Sequence, residues 1–353
     1  MKKIQLFMSC IFVLFIVGCN KSSKDKDHNI SQITEPFYYE QWYINKNDNF
    51  YTKNQINNDA SIHSSNILEK YSGKGVKIAV IDDGLDRYHE DLNNSILYTY
   101  NIDTNSTNVS HTNSNNHHGT AVTGIIASRK NNIGILGIAY NSKIIFLKAT
   151  DETSDSQIIE LFNKAEELGA DIINCSWGTY DVSDIVKDKI INLSNNGRNG
   201  KGIIFVFASG NDDNYMGNDE SAILEVISVG ATDKDNLRAF YSNYGENLDL
   251  VAPGGYTIAI TTLDPMNENG VSTINNNYLL SNDVNGFIGT SSSAPIVSSV
   301  IALMLEKKPS LTRIEVENIL KNNCDKIGNL NYENNRNDYY GYGKINLTKI
   351  MGN

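Results

Sequence analysis

The amino-acid sequence predicts an α/β fold: a three-layer sandwich with helices on both faces of a mainly parallel central sheet. Two observations carry this. From Val76 onward, short runs rich in β-branched residues alternate with helix-length segments, the order that successive βα units produce. Most of those runs are continuously apolar and lack period-2 alternation, as strands buried on both faces of a parallel sheet must be.

The expected strands are Val76–Ile81, Lys143–Ala149, Asp171–Ser176, Gly202–Ala208, Val226–Gly230 and Leu248–Val251. The expected helices are Gly119–Ser128, Ser156–Leu168, Asp184–Asn195, Ser293–Glu306 and Thr312–Lys321. Asn-rich stretches at 101–117 and 267–285 read as loops. In such a sheet, ligands bind where loops leave the carboxyl ends of the strands, so the residues just after each strand are the informative ones.

The 353 residues suffice for one large core without disulfide staples. A content of 40% hydrophobic and 20% charged residues is ordinary for a globular protein. The net charge of -11 argues against a nucleic-acid partner, which needs a basic face, and against electrostatic docking on anionic lipid. It favours the approach of basic substrates, although an acidic soluble surface is the simpler reading of charge alone.

Residues 1–19 read as an export signal. Met1–Lys3 is basic, and the apolar run Ile4–Val17 is too short to span a bilayer comfortably. The run ends in Gly18-Cys19, which resembles a bacterial lipobox, so Cys19 is the expected lipidation site. The alternative is an ordinary signal with a chance cysteine. Acyl chains on Cys19 would hold the protein to a membrane, giving an exported lipoprotein, periplasmic or on the cell surface. Residues 20–34 are a polar tether, and 35–353 form the main domain. Cys175 and Cys324 are expected as free thiols, since two cysteines make no disulfide framework.

Three strand-end motifs stand out. Asp82 follows an apolar run in Val80-Ile81-Asp82-Asp83-Gly84 and, half-buried, needs a hydrogen-bonding or positive partner. His118 opens a helix in His117-His118-Gly119-Thr120. Ser291 lies in Gly289-Thr290-Ser291-Ser292-Ser293-Ala294-Pro295, at a helix start whose N–H groups can hold an anion and whose first turn is expected to carry the proline. Each motif alone is more often a cap or a turn. Together they supply a nucleophile, a base to take its proton and a group to hold that base in one tautomer.

With these motifs in place, the sequence resembles the subtilase family from about Glu35 to about Ile350, in which Asp, His and Ser come in this order. Phe207-Ala208-Ser209-Gly210-Asn211 resembles the segment ending in the oxyanion-hole asparagine, which implies that role for Asn211. Phe240–Gly245, Val251–Gly254 and Tyr340–Asn346 also match family segments. The resemblance implies a subtilisin-like fold and a serine endopeptidase working on protein or peptide substrates. A non-catalytic surface protein that keeps the fold as a binding platform is the competing reading. An α/β-hydrolase is disfavoured because the Ser comes last and lacks the Gly-x-Ser-x-Gly elbow.

Asp82–Asp86, His89–Leu92, Glu35-Pro36 and Asn174-Cys175-Ser176-Trp177-Gly178 resemble the kexin and furin branch. That likeness implies that Asp83 faces the second substrate residue before the cut. It also implies that Asp181, with Ser176, Trp177, Gly178, Ala208, Ser209 and Gly210, frames the pocket for a basic residue just before it. Thr179 stands where the branch has proline. A structural calcium is implied as well, with Glu35, Asp91 and Asn131 giving side-chain oxygens and Arg129, Ile133 and Ile135 giving carbonyls; an Asn-rich turn at 131–132 is the plainer alternative. Between Cys19 and Glu35 there is no room for the usual prodomain, so folding unaided or with a separate helper or inhibitor chain is expected.

Overall fold

A computed structural model describes residues 33–64, 66–111 and 116–352. The leader, Cys19 and the tether up to residue 32 lie outside the described residues. The chain order is α1 (Asp48–Asn54), α2 (Ile67–Lys70), β1 (Lys77–Asp82), β2 (Ile96–Asn101), α3 (His118–Ala127), β3 (Lys143–Lys148), α4 (Asp155–Glu167), β4 (Ile172–Cys175) and α5 (Asp184–Gly200). There follow β5 (Ile204–Ala208), β6 (Ile227–Thr232), β7 (Leu250–Pro253), β8 (Thr262–Leu263), β9 (Tyr278–Leu279), α6 (Thr290–Lys307), α7 (Arg313–Asn322) and α8 (Leu347–Met351).

Seven strands form the central sheet in the order β2-β3-β1-β4-β5-β6-β7, and every neighbouring pair is parallel. β1 lies inside the sheet, with Val80 opposite Phe146 of β3 and Asn174 of β4. Chain order runs one way from β1 to β2 and the other way from β4 to β7. The crevice outside the carboxyl end of β1 is therefore the switch point where such sheets bind ligands.

The strands lack alternation in sequence because both faces are buried. Ile78, Val80, Ile144, Phe146, Ile204 and Val206 pack in one core with α3 and α6. Ala79, Ile81, Ile145, Leu147, Phe205 and Phe207 pack in the other with α4 and α5. The antiparallel pair β8–β9 is separate. The segment before β1 is built into the first core: Trp42 and Tyr43 are fully buried, the Trp42 indole N–H donates to the Ala259 carbonyl and the Tyr43 hydroxyl to that of Thr261. Cys175 and Cys324 are buried and free, as expected.

Three expectations need correction, the first being the 267–285 loop, which contains β9. β2 was not foreseen, because ILYTYN at the sheet edge buries only its second half and leaves Leu97 exposed; it is not an apolar run. The Ser293–Glu306 helix begins earlier, at Thr290, which puts Pro295 in the second turn instead of the first. A proline there leaves the carbonyl four residues back without its helical donor. That carbonyl belongs to Ser291, and the Ser176 hydroxyl donates to it at 3.0 Å. The missing bond is thus replaced from β4's end.

Candidate active site

Asp82 ends β1 and is buried, and His118 is the first residue of α3. His118 Nδ1 meets Asp82 Oδ1 at 2.8 Å. Since Asp82 is an acceptor, Nδ1 carries the proton and Nε2 is left to act as base. The His118 side chain is 30% exposed, which opens the ring to the cleft, and Phe287 packs edge-on against it with ring centres 5.3 Å apart. Gly119 follows because a side chain does not fit: a Cβ there would lie 2.5 Å from the Gly84 carbonyl oxygen and against the Phe146 ring.

Charge dominates this corner. Burial opposes an imidazolium, yet Asp82, by charge and hydrogen bond, and Asp83 raise His118 to about 9. Burial and the Asp82 charge push Asp83 up to about 7, while His118 and the Gly119 N–H pull the other way. Asp82 Oδ2 is buried with no hydrogen-bond partner among the described residues.

Ser291 is the second residue of α6. Its hydroxyl donates to the Ser176 carbonyl at 3.0 Å, so Ser291 and the β4 end are tied twice. Just before it, Gly289 has φ +124°, a conformation open to glycine and strained for other residues. Asn211 lies beyond the end of β5. Its Oδ1 accepts from the Thr290 N–H at 2.9 Å and from the Thr290 hydroxyl at 2.9 Å. Both acceptor positions are filled by donors, so the amide NH2 is the end left to face a ligand. Thr290 Oγ1 in turn accepts from Gly210 N–H at 3.2 Å, which fixes the Gly210–Asn211 turn.

A cleft of about 740 Å³ opens beside Asp82 and His118; Ser291 and Asn211 are not among its lining residues. Asp82, Asp83, His118, Ser176, Trp177 and Gly178 are among its lining residues. Ala208 and Ser209 are buried at the end of β5. Asp181 is not part of the lining; it is exposed, and its carboxylate accepts from the Asn218 amide at 2.8 Å. Glu220, which sequence reasoning missed, lines the cleft instead. It is buried, and its two oxygens accept from the Thr179 N–H at 3.0 Å and the Thr179 hydroxyl at 2.8 Å. Burial raises its affinity for a proton. Thr290 was also missed as a support, for a neutral contact between residues 79 apart leaves no local signature.

Hydrogen bonds bring Glu35 and Asp91 against the 129–135 loop that was expected to hold a metal. Asp91 and Glu35 are buried. Asp91 Oδ2 accepts from Ile135 N–H at 3.0 Å, and Asp91 Oδ1 is buried with no partner within hydrogen-bond distance among the described residues. Glu35 Oε1 accepts from Asn132 N–H at 3.3 Å, and Asn131 Oδ1 from Ile133 N–H at 2.9 Å. Burial pushes Asp91 up to about 8, and the Glu35 charge adds to it. Among the described residues no three His, Cys, Asp or Glu side chains come together. The side chains expected as donors here, two carboxylates and an amide, offer only oxygen, which suits calcium better than zinc.

Residues 73–343 match the model of the Subtilase family. The chain belongs to that family. It is similar to a protein named calcium-dependent protease from Trichormus variabilis, 34% identical over 309 residues, covering 79% of this chain and 46% of the relative. It is also similar to kexin of Saccharomyces cerevisiae, 30% identical, covering 93% of this chain and 40% of that one. The chain therefore spans less than half the length of either relative. Among solved structures, a serine protease of Aeromonas sobria in complex with its chaperone matches with a TM-score of 0.75 at 21% identity, over 90% of this chain and 66% of that one, which shows the shared subtilisin-like fold.

Proposed function

We propose that this subtilase is a serine endopeptidase that uses Asp82, His118 and Ser291 as its catalytic triad. The observation that carries the reading is the 2.8 Å pairing of Asp82 with His118 on one side of a cleft, with Ser291 at a helix start beside the oriented Asn211 amide. Ser291 Oγ turns from the Ser176 carbonyl, gives its proton to His118 Nε2 and attacks the scissile carbonyl. The Asn211 amide and the Ser291 N–H hold the oxyanion; such a donor is worth about 3–4 kcal/mol. His118 then protonates the leaving amine, and water, deprotonated by the same nitrogen, releases the acyl group.

The proposed substrate preference is for Arg or Lys near the cut. Asp83, Asp151, Asp155 and Glu220 line the cleft with no Lys or Arg among the lining residues, and charge-assisted hydrogen bonds favour a cation there. The similarity to kexin supports the same reading. Calcium, when bound by Glu35, Asp91, Asn131 and the carbonyls of Arg129, Ile133 and Ile135, would supply the positive charge that the two buried carboxylates lack and tie the N-terminal segment to the 129–135 loop. We also propose that the protein is exported and anchored through Cys19, outside the cytoplasm. The chaperone bound to the Aeromonas sobria protease supports a separate helper chain for folding.

The test is hydrolysis of a peptide set varied before the cut, by the protein and by Ser291→Ala. Turnover that the substitution abolishes supports the triad; a folded protein that cleaves no peptide favours the binding-platform reading. A Cys19→Ala protein still partitioning with membranes would overturn the anchor.

A further inference from the structure

One polar side chain sits among apolar neighbours in the middle of the sheet. Asn174 lies in β4 between Val80 of β1 and Val206 of β5 and is fully buried. A primary amide there is costly unless its polar atoms are hydrogen-bonded. The Ser298 hydroxyl, from the middle of α6, donates to Asn174 Oδ1 at 2.8 Å. Asn174 Nδ2 donates to the Ser176 hydroxyl oxygen at 3.1 Å, and Ser176 gives its own proton to the Ser291 carbonyl at 3.0 Å. The bonds thus run one way, from Ser298 through Asn174 and Ser176 to Ser291, and all four residues are buried.

The direction matters. With the Asn174 amide turned over, Oδ1 would face Ser176 and draw its proton away from the Ser291 carbonyl. Pro295, four residues after Ser291, has no N–H to give that carbonyl instead. The other hydroxyls at this helix start are committed elsewhere. Thr290 donates to Asn211, Ser292 to the Gly254 and Gly289 carbonyls, and Ser293 to those of Ala252 and Pro253. The proline therefore moves control of the Ser291 carbonyl from the helix to the sheet.

We propose that Asn174 and Ser298 are positioning residues for the nucleophile: their relay aims the Ser176 proton at the Ser291 carbonyl and so holds the Ser291 backbone where the reaction needs it. This role rests on the peptidase reading above and deepens it. The Ser291 carbonyl and N–H flank one Cα. Freeing the carbonyl lets the first turn of α6 tilt and carries the N–H away from the place of the oxyanion. Neither Asn174 nor Ser298 touches a substrate, since both are fully buried and neither lines the cleft. Their loss should therefore be felt in the transition state, where a misplaced donor slows the chemical step, and not in substrate binding.

The experiment measures kcat and KM on one peptide for Ser176→Ala, which deletes the last donor, and for Ser298→Ala, which frees the amide to turn over. The first should lower kcat by about 2- to 13-fold, the worth of one neutral hydrogen bond. The second should lower it by a smaller factor with KM unchanged. Pro295→Ala is the deciding background, because alanine restores an N–H four residues after Ser291 and the helix then holds the carbonyl itself. Both losses should disappear there. Losses of the same size in both backgrounds, or a Ser298→Ala effect on KM alone, would overturn the inference. A second readout needs no turnover: the Ser291 carbonyl carbon is followed by NMR in protein labelled at its serine carbonyls. Asn174→Asp keeps the shape and replaces the donor by an acceptor that draws the Ser176 proton. It should move the Ser291 resonance upfield as Ser176→Ala does, and an unmoved resonance refutes the relay. Where the buried carboxylate prevents folding, Ser298→Ala takes its place with the same two outcomes. This readout stands even where absent peptide cleavage by the parent protein has refuted the peptidase reading.

Discussion

Replacing Thr290 with valine should lower turnover through Asn211. The Asn211 amide is held in one orientation by two donors, the Thr290 N–H and hydroxyl, each at 2.9 Å. Valine keeps the backbone donor and the volume and deletes the hydroxyl. One neutral hydrogen bond is worth about 0.5–1.5 kcal/mol; lost from transition-state stabilisation alone, that is a fall of about 2- to 13-fold in kcat. KM should hold, because Thr290 is fully buried and touches no substrate. Removing the amide itself, in Asn211→Ala, should cost about 100- to 1,000-fold. The decisive assay is the double variant, with kcat measured on one chromogenic peptide under saturation. If Thr290 works by holding Asn211, its effect should vanish once Asn211 is alanine. A Thr290→Val loss of the same size in both backgrounds would refute the reasoning, and would mean that the hydroxyl acts on the oxyanion directly. Melting must be followed in parallel: the half-buried Gly210 N–H loses its acceptor in the valine variant, which should cost at most about 1–3 kcal/mol of stability.

Other outcomes follow from the same geometry. Chelation should lower the melting temperature, since a metal bound only by the folded chain at 100 times its Kd adds about 2.7 kcal/mol, and Asp91→Asn should abolish the difference. In chelator, Asp91 keeps its proton up to about 8 in the folded chain against about 4 when unfolded; the stability it contributes is whole below pH 4 and declines as pH rises through 8, a slope that calcium should flatten in a pH series of melts. Asp181→Asn should leave any Arg or Lys preference intact, because that carboxylate is turned to Asn218, whereas Glu220→Gln should weaken it in the same peptide panel. Gly119→Ala should destabilise by about 1–3 kcal/mol through overpacking and slow turnover, seen together in melting and kcat.

The fold was legible wherever burial is two-sided. Strands β1 and β3 to β7 announce themselves as apolar runs because both faces of the sheet are covered. β2 does not, because an edge strand with Leu97 exposed mixes polar and apolar positions. The triad candidates were legible because each sits at a strand or helix end with its own local pattern. Supports such as Thr290, Glu220 and Phe287 were not. Their partners, Asn211, Thr179 and His118, lie 41 or more residues away, and a Thr, a Glu or a Phe carries no mark of what the fold will place against it. Asp181 shows the converse: a sequence offset from Ser-Trp-Gly places a residue along the chain, but the turn at Tyr180, with φ +64°, decides which way the chain then runs.

The double tie between Ser176 and Ser291 has a consequence for timescales. Ser291, the proposed nucleophile, rests in a parked rotamer, with its hydroxyl on the Ser176 carbonyl and its own carbonyl caught by the Ser176 hydroxyl. Leaving that rotamer gives up about one hydrogen bond, roughly 1 kcal/mol, so the poised population is a minority. Rotamer hops take picoseconds to nanoseconds, far faster than any turnover, so the two populations stay in equilibrium. Parking is therefore invisible as a lag or a burst. It enters as a constant fraction that scales the labelling rate of every serine-directed inhibitor alike, whatever its leaving group.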